Sequence, residues 1–216
     1  MSLVLPLKKL AWQVFIRTTR TYDKWFSPLE KKLKGVDFIG AVLPEEMGGG
    51  YTTGDYVYYV SVKRWQVKRI MKILQINKGQ DSILDYGCGK GKALYEFSKY
   101  GFRKIGGVEL DKELVDIAKA NMKKLGLANI EIYNENGIDF KEIDDYNHFY
   151  FYDPFNAEIF SKVLENIIES MDKNPRKITL MYLNQRGHHE VMMNSKRFRH
   201  FHTAQIPMKA FFYKSI

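Results

Sequence analysis

The hydrophobic positions of this chain change period along its length, and each change marks an element. Over residues 3–26, Leu7, Leu10, Ala11, Val14 and Phe15 recur at helical spacing, while Lys8, Lys9, Arg17 and Arg20 stand mostly elsewhere. That pattern predicts an amphipathic helix. Ser27-Pro28 interrupts it, and a basic segment runs on to Gly35. From Val36 to Gly54 no period holds; Pro44 and the run Gly48 to Gly50 predict an irregular connection. A helix is then expected over 55–76, whose Val60, Arg64, Val67, Ile70, Met71 and Leu74 include a buried face, closing at Asn77 and Gly79.

Beyond Ser82, short apolar runs alternate with helical periods, as in a parallel sheet covered on both faces. Strands are expected at Ser82 to Asp85, Lys104 to Leu110, Ile130 to Tyr133, His148 to Tyr152 and Ile178 to Leu183. Helices begin after Gly91, after Asp111 and near residue 157, with a short one between Gln185 and Asn194. Two β-rich segments near 197–204 and 208–214, parted by Ile206-Pro207, complete seven strands as an antiparallel pair. The expected organisation is an N-terminal helical extension over 1–35 and one α/β domain over 36–216, whose residues 36–56 are placed to act as a lid.

The stretch from Ser82 to Lys92 is a strand that breaks into Gly87, Gly89 and Gly91 before a helix starts. Glycines there let a ligand lie against the backbone, and the new helix offers free N–H groups. Dinucleotide sites use Gly-x-Gly-x-x-Gly and phosphate loops end in Gly-Lys-Ser/Thr; neither fits, since Lys92 precedes Ala93. Asp85 would repel a pyrophosphate and suits a ligand carrying an ammonium group. Glu109, 24 positions further at the end of the second strand, stands where nucleotide-binding folds place a carboxylate for the ribose hydroxyls.

Composition narrows the setting. With 216 residues, 45% hydrophobic, the chain can bury one sizeable core. No apolar run approaches the roughly 20 residues of a membrane span, and a cytoplasmic location is expected. Cys88 is the single cysteine, which rules out an intrachain disulfide; in the turn it reads as a small filler. The formal charge of +9 gathers in clusters such as Lys63-Arg64/Lys68-Arg69/Lys72 and Lys196-Arg197/Arg199, which can meet nucleic acid or an acidic protein, or simply face solvent. The first helix can likewise lie on a membrane surface or dock onto a subunit.

The motif Asp85-Tyr86-Gly87-Cys88-Gly89-Lys90-Gly91 resembles the first motif of the class I S-adenosylmethionine-dependent methyltransferases, Asp/Glu-x-Gly-x-Gly-x-Gly. The resemblance implies a Rossmann-like seven-stranded sheet, mostly parallel with a C-terminal antiparallel strand, and S-adenosyl-L-methionine as cofactor. It implies cofactor contacts from Asp85, Tyr86, Gly87, Cys88, Gly89 and Gly91, and from Glu109 and Leu110. After the third strand the family usually shows Gly-Asp-Ala; here Glu135-Asn136-Gly137 is the best match, with Asp139 the alternative to Asn136 at the adenine. Asp153-Pro154-Phe155 is similar to the Asp/Asn-Pro-Pro-Tyr/Phe motif of amino-group methyltransferases, without its second proline, which implies that these three residues meet the acceptor. With Asp37-Phe-Ile-Gly40, Tyr51-Thr52-Thr53 and His188-His-Glu190, the chain over about 36–205 is similar to a group of small bacterial methyltransferases distantly similar to the non-SET histone-lysine methyltransferases. In that group the segment before the sheet helps cover the cofactor, which places Tyr51 and Thr52 at it.

Methyl transfer chiefly requires alignment of acceptor, methyl and sulfur, and a neutral amine must also lose a proton. Asp153, or a tyrosine among Tyr51 to Tyr59, can take or orient that proton. No metal is expected, since His188 and His189 diverge on a helix and His200 and His202 lack further ligands. The acceptor is unassigned, with nitrogen on a protein or nucleic acid favoured over a small-molecule oxygen or nitrogen. A non-catalytic basic binding module retaining the fold is the reading from another class, and an NAD-dependent oxidoreductase a more distant one.

Overall fold

The computed structural model describes residues 34–38, 41–42, 59–184, 187–206 and 208–216. The helix expected over 3–26, most of the 36–56 connection, and Tyr51 and Thr52 lie outside the described residues. Within the connection read as irregular, β1 (Ala41–Val42) pairs antiparallel with β2 (Tyr59–Val60). This corrects the helix expected over 55–76, which is shorter: α1 spans Arg64–Ile73. Val60 is held in register with Ala41, and Lys63 is extended. The Lys63 N–H donates to Gln66 Oε1 at 2.7 Å, so a capping contact fixes the helix start at Arg64 rather than at the first apolar position. Leu74 returns to extended backbone and ends it.

The main sheet contains β3 (Ser82–Tyr86), β4 (Lys104–Glu109), β5 (Glu131–Asn134), β6 (His148–Tyr152), β7 (Thr179–Leu183), β8 (Phe198–Ile206) and β9 (Met208–Ser215). Their spatial order is β5-β4-β3-β6-β7-β9-β8. Strands β3 to β7 are parallel, and β9 runs antiparallel between β7 and β8. The helices between them are α2 (Lys92–Phe97), α3 (Lys112–Lys124), α4 (Ala157–Lys173) and α5 (His188–Asn194). The chain works outward from β3 through β4 to β5 and then returns to β6, so a crevice opens beyond the ends of β3 and β6 where ligands bind in such sheets. Among the described residues no helix is long and apolar enough to cross a membrane.

Each face of the sheet carries its own core. On one, Ile83, Phe97, Ala118, Val67, Ile70 and Phe212 pack together; on the other, Leu84, Tyr86, Phe149, Phe151, Phe160 and Ile167 do so. Central β3 is buried at every position, Asp85 included. That explains why its sequence is a short apolar run and not an alternation. Neighbouring strands place Tyr86, Phe151 and Tyr182 in one cross-strand row, with stacked rings 5.1 and 5.4 Å apart.

Strand β4 is glycine-rich because the turn after β3 folds onto it. A Cβ at Gly107 would lie 2.7 Å from both Cβ and Sγ of Cys88 and 2.9 Å from Leu94 Cδ1. Gly107→Ala should therefore destabilise the fold by about 1–3 kcal/mol, the usual cost of overpacking, read as a lower midpoint in urea denaturation. A midpoint equal to the parent's would show that the turn yields freely.

Candidate active site

The turn between β3 and α2 forms because its backbone can do what side chains forbid. Gly87 has φ +78°, and a Cβ there would lie 2.7 Å from Pro154 Cβ. Gly91 caps α2 at φ +81°. The amides of Gly87 and Cys88 both donate to Val108 O, at 2.8 and 3.1 Å, which folds the turn back over β4. Burial, and then the charges of Glu109 and Asp85, push the Cys88 thiol well above its usual range, so it stays a neutral filler.

Two carboxylates lie under this turn. Glu109, at the end of β4, accepts from Gly89 N at 2.9 Å through Oε2 and from Asp111 N at 3.0 Å through Oε1. Burial raises its pKa, against the lowering effect of those backbone donors. Asp85 is 3% exposed and takes no hydrogen bond among the described residues. Burial first, and Glu109 second, push its pKa well above the usual carboxylate value. A buried acid without a donor is costly to ionise, and a bound cation would remove that cost.

The ends of β5 and β6 complete the crevice. Asn134 Nδ2 donates to Glu109 O and Leu110 O at 3.2 and 2.8 Å, fixing the loop after β4. Asn136 Oδ1 accepts from Ile138 N at 3.1 Å within its own turn, and Gly137 packs beside Tyr86 and Phe155. Asp153, at φ +48°, accepts from Asn184 Nδ2, and Asn184 is itself left-handed at φ +60°. Phe155 is 5% exposed; its ring meets Phe151 edge-on, and its carbonyl accepts from Tyr182 Oη at 3.2 Å and lies 3.0 Å from His188 Nε2. Phe155 thus supports the loop from beneath. His189 Nδ1 lies 2.8 Å from Tyr213 Oη and His200 Nε2 lies 2.8 Å from Thr203 Oγ1. Among the described residues no three metal-ligating side chains are grouped to hold an ion.

Residues 34–38 strap this region. Asp37 N donates to Asn121 Oδ1 at 2.8 Å, while Asn121 Nδ2 donates to Asp37 O and to Lys90 O in the turn, at 2.7 and 3.0 Å. Lys90 Nζ reaches Asp37 Oδ2 at 3.2 Å, and Phe38 stacks on Tyr95 with rings 5.6 Å apart.

A family model described as a methyltransferase domain matches residues 77–204, more than half of the chain. The chain belongs to this methyltransferase family. Its α/β sheet is shared with methyltransferases of known structure, among them one solved with bound S-adenosyl-L-methionine at 13% identity and a TM-score of 0.55. The methyltransferase is 27% identical to the ribosomal protein L11 methyltransferase of Lachnospira eligens over 73% of this chain and 46% of that protein. It is 36% identical to the release factor glutamine methyltransferase of Buchnera aphidicola subsp. Schizaphis graminum over 43% of this chain and 41% of that protein. It thus spans under half the length of either relative. An RNA methyltransferase of Salinibacter ruber, solved with S-adenosyl-L-homocysteine, shares the fold at 16% identity and a TM-score of 0.56, covering 72% of this chain and 94% of that one.

In the methyltransferase, Asp85, Tyr86, Gly87, Cys88, Gly89, Gly91, Glu109, Leu110, Asn136, Gly137, Asp153, Pro154 and Phe155 all fall at the same end of the sheet. Three residues that organise the site were not singled out from the sequence: Asn121, Asn134 and Asn184. Only Asn134 carried a local signal, as the residue directly after the strand expected at Ile130 to Tyr133.

The native pKa of Asp85 lies above its unfolded value, so ionising it costs the folded methyltransferase. That cost is absent near the unfolded carboxylate pKa of about 3.9 and grows as pH rises through the native value. Asp85→Asn, free of a titrating group, should have a higher urea midpoint than the parent at pH 8, with the gap closing towards pH 4. A gap independent of pH would show that Asp85 does not carry the cost.

Proposed function

We propose that this chain transfers the methyl group of S-adenosyl-L-methionine to a nitrogen of a protein acceptor. The observation that carries the reading is Asp85: a buried carboxylate with no donor among the described residues, set beneath a glycine turn and beside Glu109. These residues fit the donor's chemistry. Asp85 would hold its ammonium group, and Glu109, each of whose oxygens has accepted one backbone N–H, keeps lone pairs for the ribose hydroxyls. Asn136, with one lone pair of Oδ1 left, is the acceptor offered to the adenine amino group. When bound, the cofactor supplies a methyl group on a positively charged sulfur.

The chain's own residues then orient the acceptor. Asp153 and Asn184 end adjacent strands, both left-handed, with their side chains bonded to each other, so the Asp153 carboxylate is pinned at the mouth of the crevice. A pinned carboxylate accepts an N–H from the substrate and turns the nitrogen lone pair towards the methyl. Pro154, against Gly87, keeps the two halves of the site together. Both curated relatives are named for protein acceptors, one of them for a glutamine, which supports a protein nitrogen over a small molecule.

Calorimetric titration with S-adenosyl-L-homocysteine should give micromolar affinity, weakened at least tenfold in Asp85→Asn and in Glu109→Gln. Absence of binding by folded parent protein would overturn the reading. Asp153→Asn should keep that affinity while labelled-methyl transfer to a protein fraction falls about a hundredfold, within the range of a lost acid–base or orienting group. Unchanged transfer would remove Asp153 from the acceptor site.

A further inference from the structure

The exposed side of α1 presents Arg64, Trp65, Lys68, Arg69 and Lys72, all of them exposed. From Trp65, the positions i+3, i+4 and i+7 fall on one helical stripe, so three cations and the indole share a face, with Arg64 at its edge. Trp65 is 51% exposed. Among the described residues it has no ring, cation or hydrogen-bond partner, and none of the four cations forms an ion pair. The apolar face of the same helix, Val67, Ile70 and Met71, is already buried in the core. The helix therefore needs neither Trp65 nor four uncompensated charges for its own packing.

The surface continues past the end of α1. Ile73, Leu74, Gln75 and Asn77 line a cavity of about 340 Å³ at the amino-terminal end of the sheet, opposite the methyl-transfer crevice. Lys177, Arg199 and Lys214 line it too, again without ion pairs, and Lys214 Nζ stands 4.5 Å above the Phe201 ring. Its one carboxylate, Asp81, accepts from Asn77 N and Asn147 Nδ2, both at 2.8 Å, and lies 3.1 Å from His148 Nε2. Its charge is thus locally answered, and the cavity remains positive.

We propose that the outer face of α1 and this cavity together dock single-stranded RNA, with cations on the phosphates and Trp65 stacked on an unpaired base. Positive charge selects a polyanion, and an exposed indole among the cations selects one with accessible base faces, which a duplex hides. A bilayer would gain one apolar side chain from this face, too little for insertion. An acidic protein would use the charges but not the indole. The docking surface shares none of the residues assigned to methyl transfer and does not depend on that reading.

The test is fluorescence anisotropy of the full chain with a labelled 20-nucleotide single-stranded RNA of mixed sequence, alongside the same RNA as a duplex, polyglutamate, and vesicles containing phosphatidylserine. Single-stranded RNA should bind in the micromolar range at 0.1 M salt. The log–log salt slope should be near −3, as expected for roughly four phosphate contacts at about 0.7 each. Trp65→Ala should weaken binding about tenfold, the usual effect of losing one stacked base, and Lys68→Glu with Arg69→Glu by tenfold or more. Circular dichroism checks folding, and S-adenosyl-L-homocysteine affinity, unchanged in each variant, separates this outcome from a failure of the methyl-transfer reading. The proposal is overturned by a folded parent that does not bind the RNA, by tighter binding of the duplex, or by Trp65→Ala without effect. Preference for polyglutamate or for the vesicles would likewise overturn it, in favour of an acidic protein or a membrane.

Discussion

The carboxylate of Glu109 is the joint on which the site depends. One oxygen takes the Gly89 amide and the other the Asp111 amide, so a single side chain ties the turn after β3 to the start of α3. Asp111 in turn caps α3 by accepting from Leu114 N at 3.0 Å. The backbone of Glu109 continues the chain of contacts, because its carbonyl accepts from Asn134 Nδ2 in the last residue of β5 and from Glu135 N just beyond it. Three separate strand ends are thereby referenced to one residue. A charge-assisted bond to a backbone amide is about twice as strong as a neutral one, and here two of them act away from water.

The same economy explains the buried acid beside it. An unpaired carboxylate in a core is normally replaced by evolution or neutralised by protonation. Asp85 persists at the centre of the most buried strand, with its pKa raised, and the sheet around it is paired on both sides. The fold tolerates the local cost because β3 is supported by both neighbours. Strain and unfavourable charge gather at the carboxyl ends of the strands, where Asp153 and Asn184 also hold left-handed backbone.

Much of this was legible in the residues. The glycine turn, Glu109, the Asp111 cap and all seven strands of the main sheet follow from apolar runs and from chemistry that acts within a few positions. What was not legible depends on contacts between distant parts of the chain. The start of α1 was masked by helical spacing that ran back to Val60, a residue the β1 pairing claims for a strand. Asn121 and Asn184 look like ordinary polar residues, yet one bonds across 84 positions to Asp37 and the other across 31 to Asp153. The motif places Phe155 at the acceptor, and that its ring is drawn against the stacked row of Tyr86, Phe151 and Tyr182 could not be read from the local sequence.

The placement of β9 bears on how the molecule comes to exist. Because β9 lies between β7 and β8, the ribosome releases β8 before the strand that will attach it to the sheet. Until then β7 is an open edge made of Thr179 to Leu183, buried in the finished protein at every position, and β8 has nowhere to go. An apolar edge left unpaired during synthesis invites pairing with another chain. Closing the sheet therefore waits for β9, and until it is made the apolar edge of β7 is the segment that a chaperone would serve most.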